Sequence, residues 1–334
     1  MIMKRNIFKL LCGIGIISSL CACKNGDQDF PDYEGGTTVY FAYQYPVRTI
    51  VLGDDEYDVT IDHAHKCQIK ATFGGSYHGS NGTVQVAVDE SLCNNLFFED
   101  GVTPVKAMPS SYYQLSTTSL AFNGTMNGTT EVQLTDAFFN DPDAVTKTYV
   151  IPLVMTSQTG FGKILTGSLN EGATGPRTNA EAWDILPMDY VLYCVKFQNK
   201  YSGWWLTNHT TSTEDIEHAQ TVRINTVSLN SSSYEVSYQD GDQLYKATLL
   251  LTFNGENCTI TSLTDGVTAA GSGSWGDDTE KKAWGNKDRD GMELNYTVDF
   301  GNGHTWSTHE KMVWQRSGVR DDNPNLEFTP VYKK

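Results

Sequence analysis

The spacing of apolar residues constrains this chain most. From residue 37 onward they recur at every second position in short runs, and turn residues separate the runs. Side chains of a strand alternate between faces, so a period of two reads as strands with one buried face. Segments 37–45 (TTVYFAYQY), 57–62 (YDVTID) and 83–88 (TVQVAV) carry the pattern, followed by 112–115, 119–122, 131–135 and 148–155. Asn123-Gly124 and Asn127-Gly128 mark turns between strands. Asp89 is placed to cap a short helix through 91–98. Strands do not alternate with helical segments, which argues against doubly wound and TIM-type scaffolds.

The chain has 334 residues, more than the roughly 250–300 that a single core uses, so two units are expected. Between 156 and 187 the alternation stops and Gly, Ser, Thr, Asn and Pro dominate. This divides the chain into an all-β sandwich at 37–157, a linker at 158–188 and a second β unit at 189–334. Alternation resumes at 190–197, 219–229, 234–238, 244–253, 258–263, 292–300 and 305–315, with hairpin turns at 239–242 and 254–255. Hairpins in sequence order suit a C-terminal antiparallel β-barrel, or a second sandwich.

The net charge of −16 leaves no basic stripe to neutralise phosphates, so nucleic acid is not an expected partner. Lys4, Arg5 and Lys9 precede an apolar run over 10–20 that is too short for a transmembrane helix and reads as a signal peptide. Leu20-Cys21-Ala22-Cys23 resembles the bacterial lipobox. That resemblance implies removal of 1–22 and lipidation of Cys23. Residues 23–36 form a polar acidic tether, similar to the surface-export signal of Bacteroidota lipoproteins, which implies a cell-surface position on the outer membrane. Cys67, Cys93, Cys194 and Cys258 have no metal-site spacing and read mostly as buried thiols.

The run 38–53 (TVYFAYQYPVRTIVLG), with 84–89, 112–115 and 149–153, resembles an N-terminal domain of Bacteroidota surface lipoproteins. There it is an immunoglobulin-like sandwich. Tyr193-Cys194-Val195-Lys196-Phe197, Lys200-Tyr201-Ser202-Gly203-Trp204, Trp284-Gly285-Asn286-Lys287 and Val313-Trp314-Gln315-Arg316 look like its companion C-terminal domain. Such pairs belong to polysaccharide-utilisation loci, which implies a glycan ligand and, as partners, a TonB-dependent transporter with its lid lipoprotein. Gly203-Trp204-Trp205 and Arg316 also resemble lipocalin-like barrels, which implies Trp205 stacked under Arg316.

All seven tryptophans lie at or after Trp183, so the second unit is expected to hold the ligand. Trp275 and Trp284 fall in the polar, Gly-rich stretch 271–289 and read as exposed platforms for the apolar faces of sugars, with Asp277, Asp278 and Asn286 for hydroxyl contacts. Asn286 to Gly291 matches the start of a calcium loop, but Thr297 stands where the bidentate Glu belongs. His63 and His65 lack a third ligand at metal-site spacing. No metal or cofactor is expected. No hydrolase elbow, Walker loop or dinucleotide fingerprint occurs. The leading expectation is a non-catalytic, glycan-binding surface lipoprotein. The alternatives are a glycoside hydrolase or esterase with unrecognised catalytic residues, and an assembly lipoprotein that binds protein partners.

Overall fold

The computed structural model describes residues 31–211 and 214–334, without the side chains of 209–218 and Trp284. The expected signal peptide at 1–22, the expected lipidation site Cys23 and the first part of the acidic stretch 23–36 lie outside the described residues. Among the described residues no helix is long and apolar enough to cross a membrane.

The chain is nearly all β and builds two units. In the first, two sheets face each other across a shared core. One sheet runs Lys163–Ile164, Thr38–Tyr40, Lys66–Gly74, Asn127–Leu134, Tyr113–Leu115. The other runs Val47–Val51, Tyr190–Gln198, Tyr149–Thr159, Thr83–Val88, Ser119–Ala121. Along Lys66–Gly74 every second residue is buried, and Cys67, Ile69, Ala71 and Phe73 meet Val86, Ile151, Leu153, Val195 and Phe197 from the facing sheet. The expected strand at 57–62 is instead a short helix, Thr60–His63. Buried Asp62 accepts from Val51 N–H at 2.9 Å and pairs with Arg48, so the polar requirements of one carboxylate override the weak alternation. Asp89 accepts from Ser91 N–H at 3.1 Å and caps the 3₁₀ turn Glu90–Cys93, as its position suggested.

The expected domain boundary moves. Tyr190–Gln198, assigned above to the second unit, is a central strand of the sandwich, antiparallel to Tyr149–Thr159 (Val150 opposite Cys194) and parallel to Val47–Val51 (Cys194 opposite Val47). Its near-continuous apolar run (YVLYCVKF) fits a strand covered on both faces, whereas barrel strands alternate. The main core lies on one side. On the other, Val150, Leu192 and Cys194 pack against Leu92, Leu96, Phe98 and Phe328. The stretch expected as a linker lies on this same unit: Lys163–Ile164 pairs with Thr38–Tyr40. The tail also returns to it. Phe328 N–H donates to Tyr45 O at 3.0 Å, and Val331–Tyr332 pairs with Leu96–Phe97.

The second unit is a closed barrel of eight antiparallel strands in sequence order, from Gly203–Thr211 to Thr305–Arg316. It closes where Trp205 lies opposite Trp314, and both side chains are fully buried. Cys67, Cys194 and Cys258 are buried and Cys93 is half-buried, all as free thiols. Burial pushes each of the four up to about 12.

Between the units sits Asn199, 1% exposed. Its amide nitrogen donates to Ser228 O at 2.8 Å and Ser231 O at 2.9 Å, and its oxygen accepts from Tyr201 N–H at 3.1 Å and Ser202 Oγ at 2.7 Å. Replacing it strands several buried polar groups, each costing about 1–3 kcal/mol. Asn199→Ala is therefore expected to lower the melting temperature clearly in a thermal scan. Asn199→Asp, which keeps the acceptor but loses both donors, is expected not to restore it.

Candidate functional site

The stretch 271–289 is not a loop for most of its length. Up to Glu280 it continues the strand Thr268–Glu280, and Gly271 and Gly273 are strand residues at close approaches. A Cβ on Gly271 would lie 2.3 Å from Asn295 O, and one on Gly273 2.4 Å from Glu293 O. Trp275 therefore occupies an inward position, 7% exposed in the barrel core, with Lys200 Nζ 4.0 Å from its ring centroid and Tyr201 edge-on at 5.3 Å. The expected exposed platform at Trp275 is corrected: the ring is a core residue capped by a lysine. Asp277, Asp278 and Asn286 are exposed. A depression of about 360 Å³ brings Trp275 and Asp277 beside Glu256, Glu280 and Glu293, and neither Asp278 nor Asn286 lines it. The backbone of Trp284 lies in a short turn, while its side chain is outside the described residues. Of the four expected residues with described side chains, Trp275 and Asp277 thus share one depression, and Asp278 and Asn286 lie outside it.

The hairpin instead meets the sandwich. Asp54 of the first unit and Asp278 and Asp290 of the barrel each place a carboxylate oxygen within 4.8 Å of the others. Asp290 is 2% exposed and accepts from Asp278 N–H at 3.0 Å. These three could hold a cation, or they can share protons. The calcium-loop arrangement read from 286–291 does not form, because Asp288 turns away to Lys281 Nζ and Lys282 N–H, both at 3.0 Å. Burial, with the charges of Asp54 and Asp277 nearby, raises Asp290 to about 7. Burial and a hydrogen bond with Glu56 raise Asp55 to about 6, and Asp55 also accepts from Ser317 Oγ at 3.0 Å.

A carboxyl raised in the folded state favours folding while protonated. Its contribution is complete below the unfolded value and is lost as pH rises through the folded one. The folded protein is therefore expected to lose stability between about pH 4 and about pH 7 through Asp290, whose folded value is about 7. Asp290→Asn is expected to flatten that part of the curve when denaturation midpoints are compared across pH.

Inside the barrel Glu310, 1% exposed, accepts from Thr207 Oγ1 at 3.1 Å, from Tyr234 Oη at 3.0 Å and from Tyr296 Oη. Burial raises its carboxyl above the usual range. Three hydroxyl donors satisfy it, so it reads as an internal tie. The expected stacking of Arg316 on Trp205 does not occur. A bulge between Trp204 and Trp205 shifts the register so that Arg316 lies opposite Trp204, on the outside. Arg316 and Arg223 sit 5.3 and 5.5 Å from the Trp204 ring, and Trp204 Nε1 donates to Asp321 at 2.9 Å.

The barrel end opposite the sandwich carries an aromatic group. Tyr238 stacks on Trp306 at 5.8 Å and 13°, and on Phe300 at 6.3 Å and 14°. Tyr245 lies 5.2 Å from Phe300 and 4.7 Å from His304, and His304 Nδ1 is 3.0 Å from Asp240. Tyr238, Tyr245, Phe300 and His304 are half-buried. They terminate strands at the turns QDGD and GNGH, and that position at strand ends is the signal that could have found them. Half-exposed rings, Tyr238 and Phe300 near-parallel and Tyr245 tilted by 40° to Phe300, with a carboxylate and an imidazole beside them can take a flat apolar face and the hydroxyls around its rim.

Residues 196–318 match the family described as "Domain of unknown function (DUF5627)", and 33–162 match a family described as an N-terminal domain. No curated protein matches the chain. Among solved structures, a Bacteroides ovatus protein of unknown function is 34% identical with a TM-score of 0.79, covering 91% of this chain and 100% of that one. A multidomain Bacteroides ovatus protein including DUF1735 is 12% identical over 88% of this chain and 99% of that one, with a TM-score of 0.38, too loose a likeness to carry an argument. At 34% identity over nearly its whole length, the chain belongs to the same family as the first of these two Bacteroides ovatus proteins.

Proposed function

We propose that the protein is a lipid-anchored cell-surface protein that binds glycans and passes them to an outer-membrane TonB-dependent transporter with its lid lipoprotein, without chemistry of its own. One observation carries this reading: the aromatic group of Tyr238, Tyr245 and Phe300 at the barrel end away from the sandwich. A pyranose presents a flat C–H face to such rings, while His304 and Asp240 supply polar contacts at the rim. The lipobox at 20–23 and the acidic tether after it agree with a surface position, and the Bacteroides ovatus relative agrees with the bacterial group.

The test is a glycan array, followed by affinity electrophoresis on each hit, with the chain from Lys24 onward. Tyr245→Ala and Phe300→Ala are each expected to weaken retention at least about tenfold, or 1.4 kcal/mol, as loss of a central aromatic contact does. Asp277→Asn is expected to leave retention unchanged. Trp275→Ala acts differently, because removing a buried Trp costs about 3–5 kcal/mol of stability. Release of reducing ends or acetate from a bound polysaccharide would favour an enzyme, and an empty array would favour assembly with protein partners.

A further inference from the structure

The sandwich holds a pocket of about 470 Å³ that the barrel does not touch, a size within the range of about 300–1,000 Å³ typical of small-ligand sites. Three segments distant in sequence build it: residues 44–45, residues 177–190, and the returning tail at 329–332. Its aromatic side comes from Tyr45, Tyr190 and Tyr332. Tyr45 and Tyr190 meet edge-on at 6.1 Å and share a hydrogen bond between their hydroxyls. Phe328 fixes the Tyr45 ring from behind at 5.4 Å. The aromatic wall is thereby held in place before any ligand arrives.

The polar side is arranged for hydroxyl groups. Arg177 Nε donates to both oxygens of Asp189, at 3.0 and 3.1 Å, and Asp189 is 1% exposed. This leaves the terminal guanidinium nitrogens of Arg177 without a hydrogen-bond partner among the described residues. Asn179 is 8% exposed and Thr178 5%. The buried Asp189 carboxylate neutralises Arg177, and Glu181 stands at the rim. The pocket therefore offers directed donors without a net positive charge, which disfavours a full anion.

We propose that this pocket binds one neutral pyranose unit, with the sugar's apolar face against the tyrosine wall and its hydroxyls on Arg177 and Asn179. The proposal rests on the glycan reading above but assigns a second sugar site, in the sandwich. The C-terminal tail supplies one of its walls, so the site needs the whole chain.

Saturation-transfer difference NMR on the chain from Lys24 onward tests it, using methyl pyranosides of glucose, galactose, mannose and N-acetylglucosamine, with methyl glucuronide as the charged control. At least one neutral pyranoside is expected to receive saturation, and to do so equally in Tyr245→Ala, where the barrel end is disabled. Asn179→Ala and Tyr332→Ala are each expected to weaken that signal at least about tenfold, with melting curves checking that both variants fold. Saturation that vanishes in Tyr245→Ala but survives both pocket variants would overturn this site and leave the barrel-end reading intact. Saturation lost only in the pocket variants, alongside no polysaccharide retention, would keep this site and sink the barrel end. Preference for the glucuronide, or no saturation with any pyranoside, would overturn the proposal.

Discussion

A buried amide with no apolar contribution to offer decides how the two halves of this protein meet. Asn199 follows directly on the central sandwich strand Tyr190–Gln198, and its side chain satisfies carbonyls at the first inner hairpin of the barrel, Ser228 and Ser231. Beside it, Gln198 Nε2 donates to Ser317 O at 3.3 Å, just past the last barrel strand. The start and the end of the barrel are thus tied to the same strand end by polar groups whose exposure to an apolar seam would be costly. The seam is closed by hydrogen bonds and carboxylates, with Leu229 of the barrel packed against the sandwich core beside them, where each unit's own interior is closed by rings and aliphatic side chains.

Much of the architecture was legible because alternation reports burial directly. The strand Thr83–Val88, the barrel hairpins and the order of sandwich then barrel all follow from it. The expected boundary falls too early because Tyr190–Gln198 comes after a Gly- and Pro-rich stretch, and a break in pattern is not always a break between units. Its lack of alternation was itself a mark of a strand covered on both faces. Tyr57–Asp62 misled in the opposite way, since a buried aspartate needing donors is invisible to a periodicity of apolar residues.

The site was harder to read for a reason of geometry. Whether a ring in a barrel strand points in, out or over the rim depends on where the barrel closes and where bulges fall. Trp204 and Trp205 are adjacent, yet one is a surface ring between two guanidinium groups and the other has no exposure at all. Trp275 sits in a stretch whose glycines look like a loop, but close approach of the neighbouring strand explains Gly271 and Gly273. Conversely, Tyr238 and Phe300 fit the alternation of core residues, and only their position at the strand ends brings them towards solvent.

The tail that crosses back to the sandwich makes the first unit discontinuous in sequence. Its sheets are finished at Gln198, but the face holding Leu92, Leu96 and Phe98 is covered only when Phe328 arrives. The barrel is, in effect, an insertion between a strand and the strap that locks it. As the chain folds, the sandwich keeps part of its apolar surface uncovered until the more than a hundred residues between Gln198 and Phe328 have closed on themselves. The order of folding events is therefore written into the connectivity: barrel closure brings the strap within reach, and docking of the strap completes the first domain.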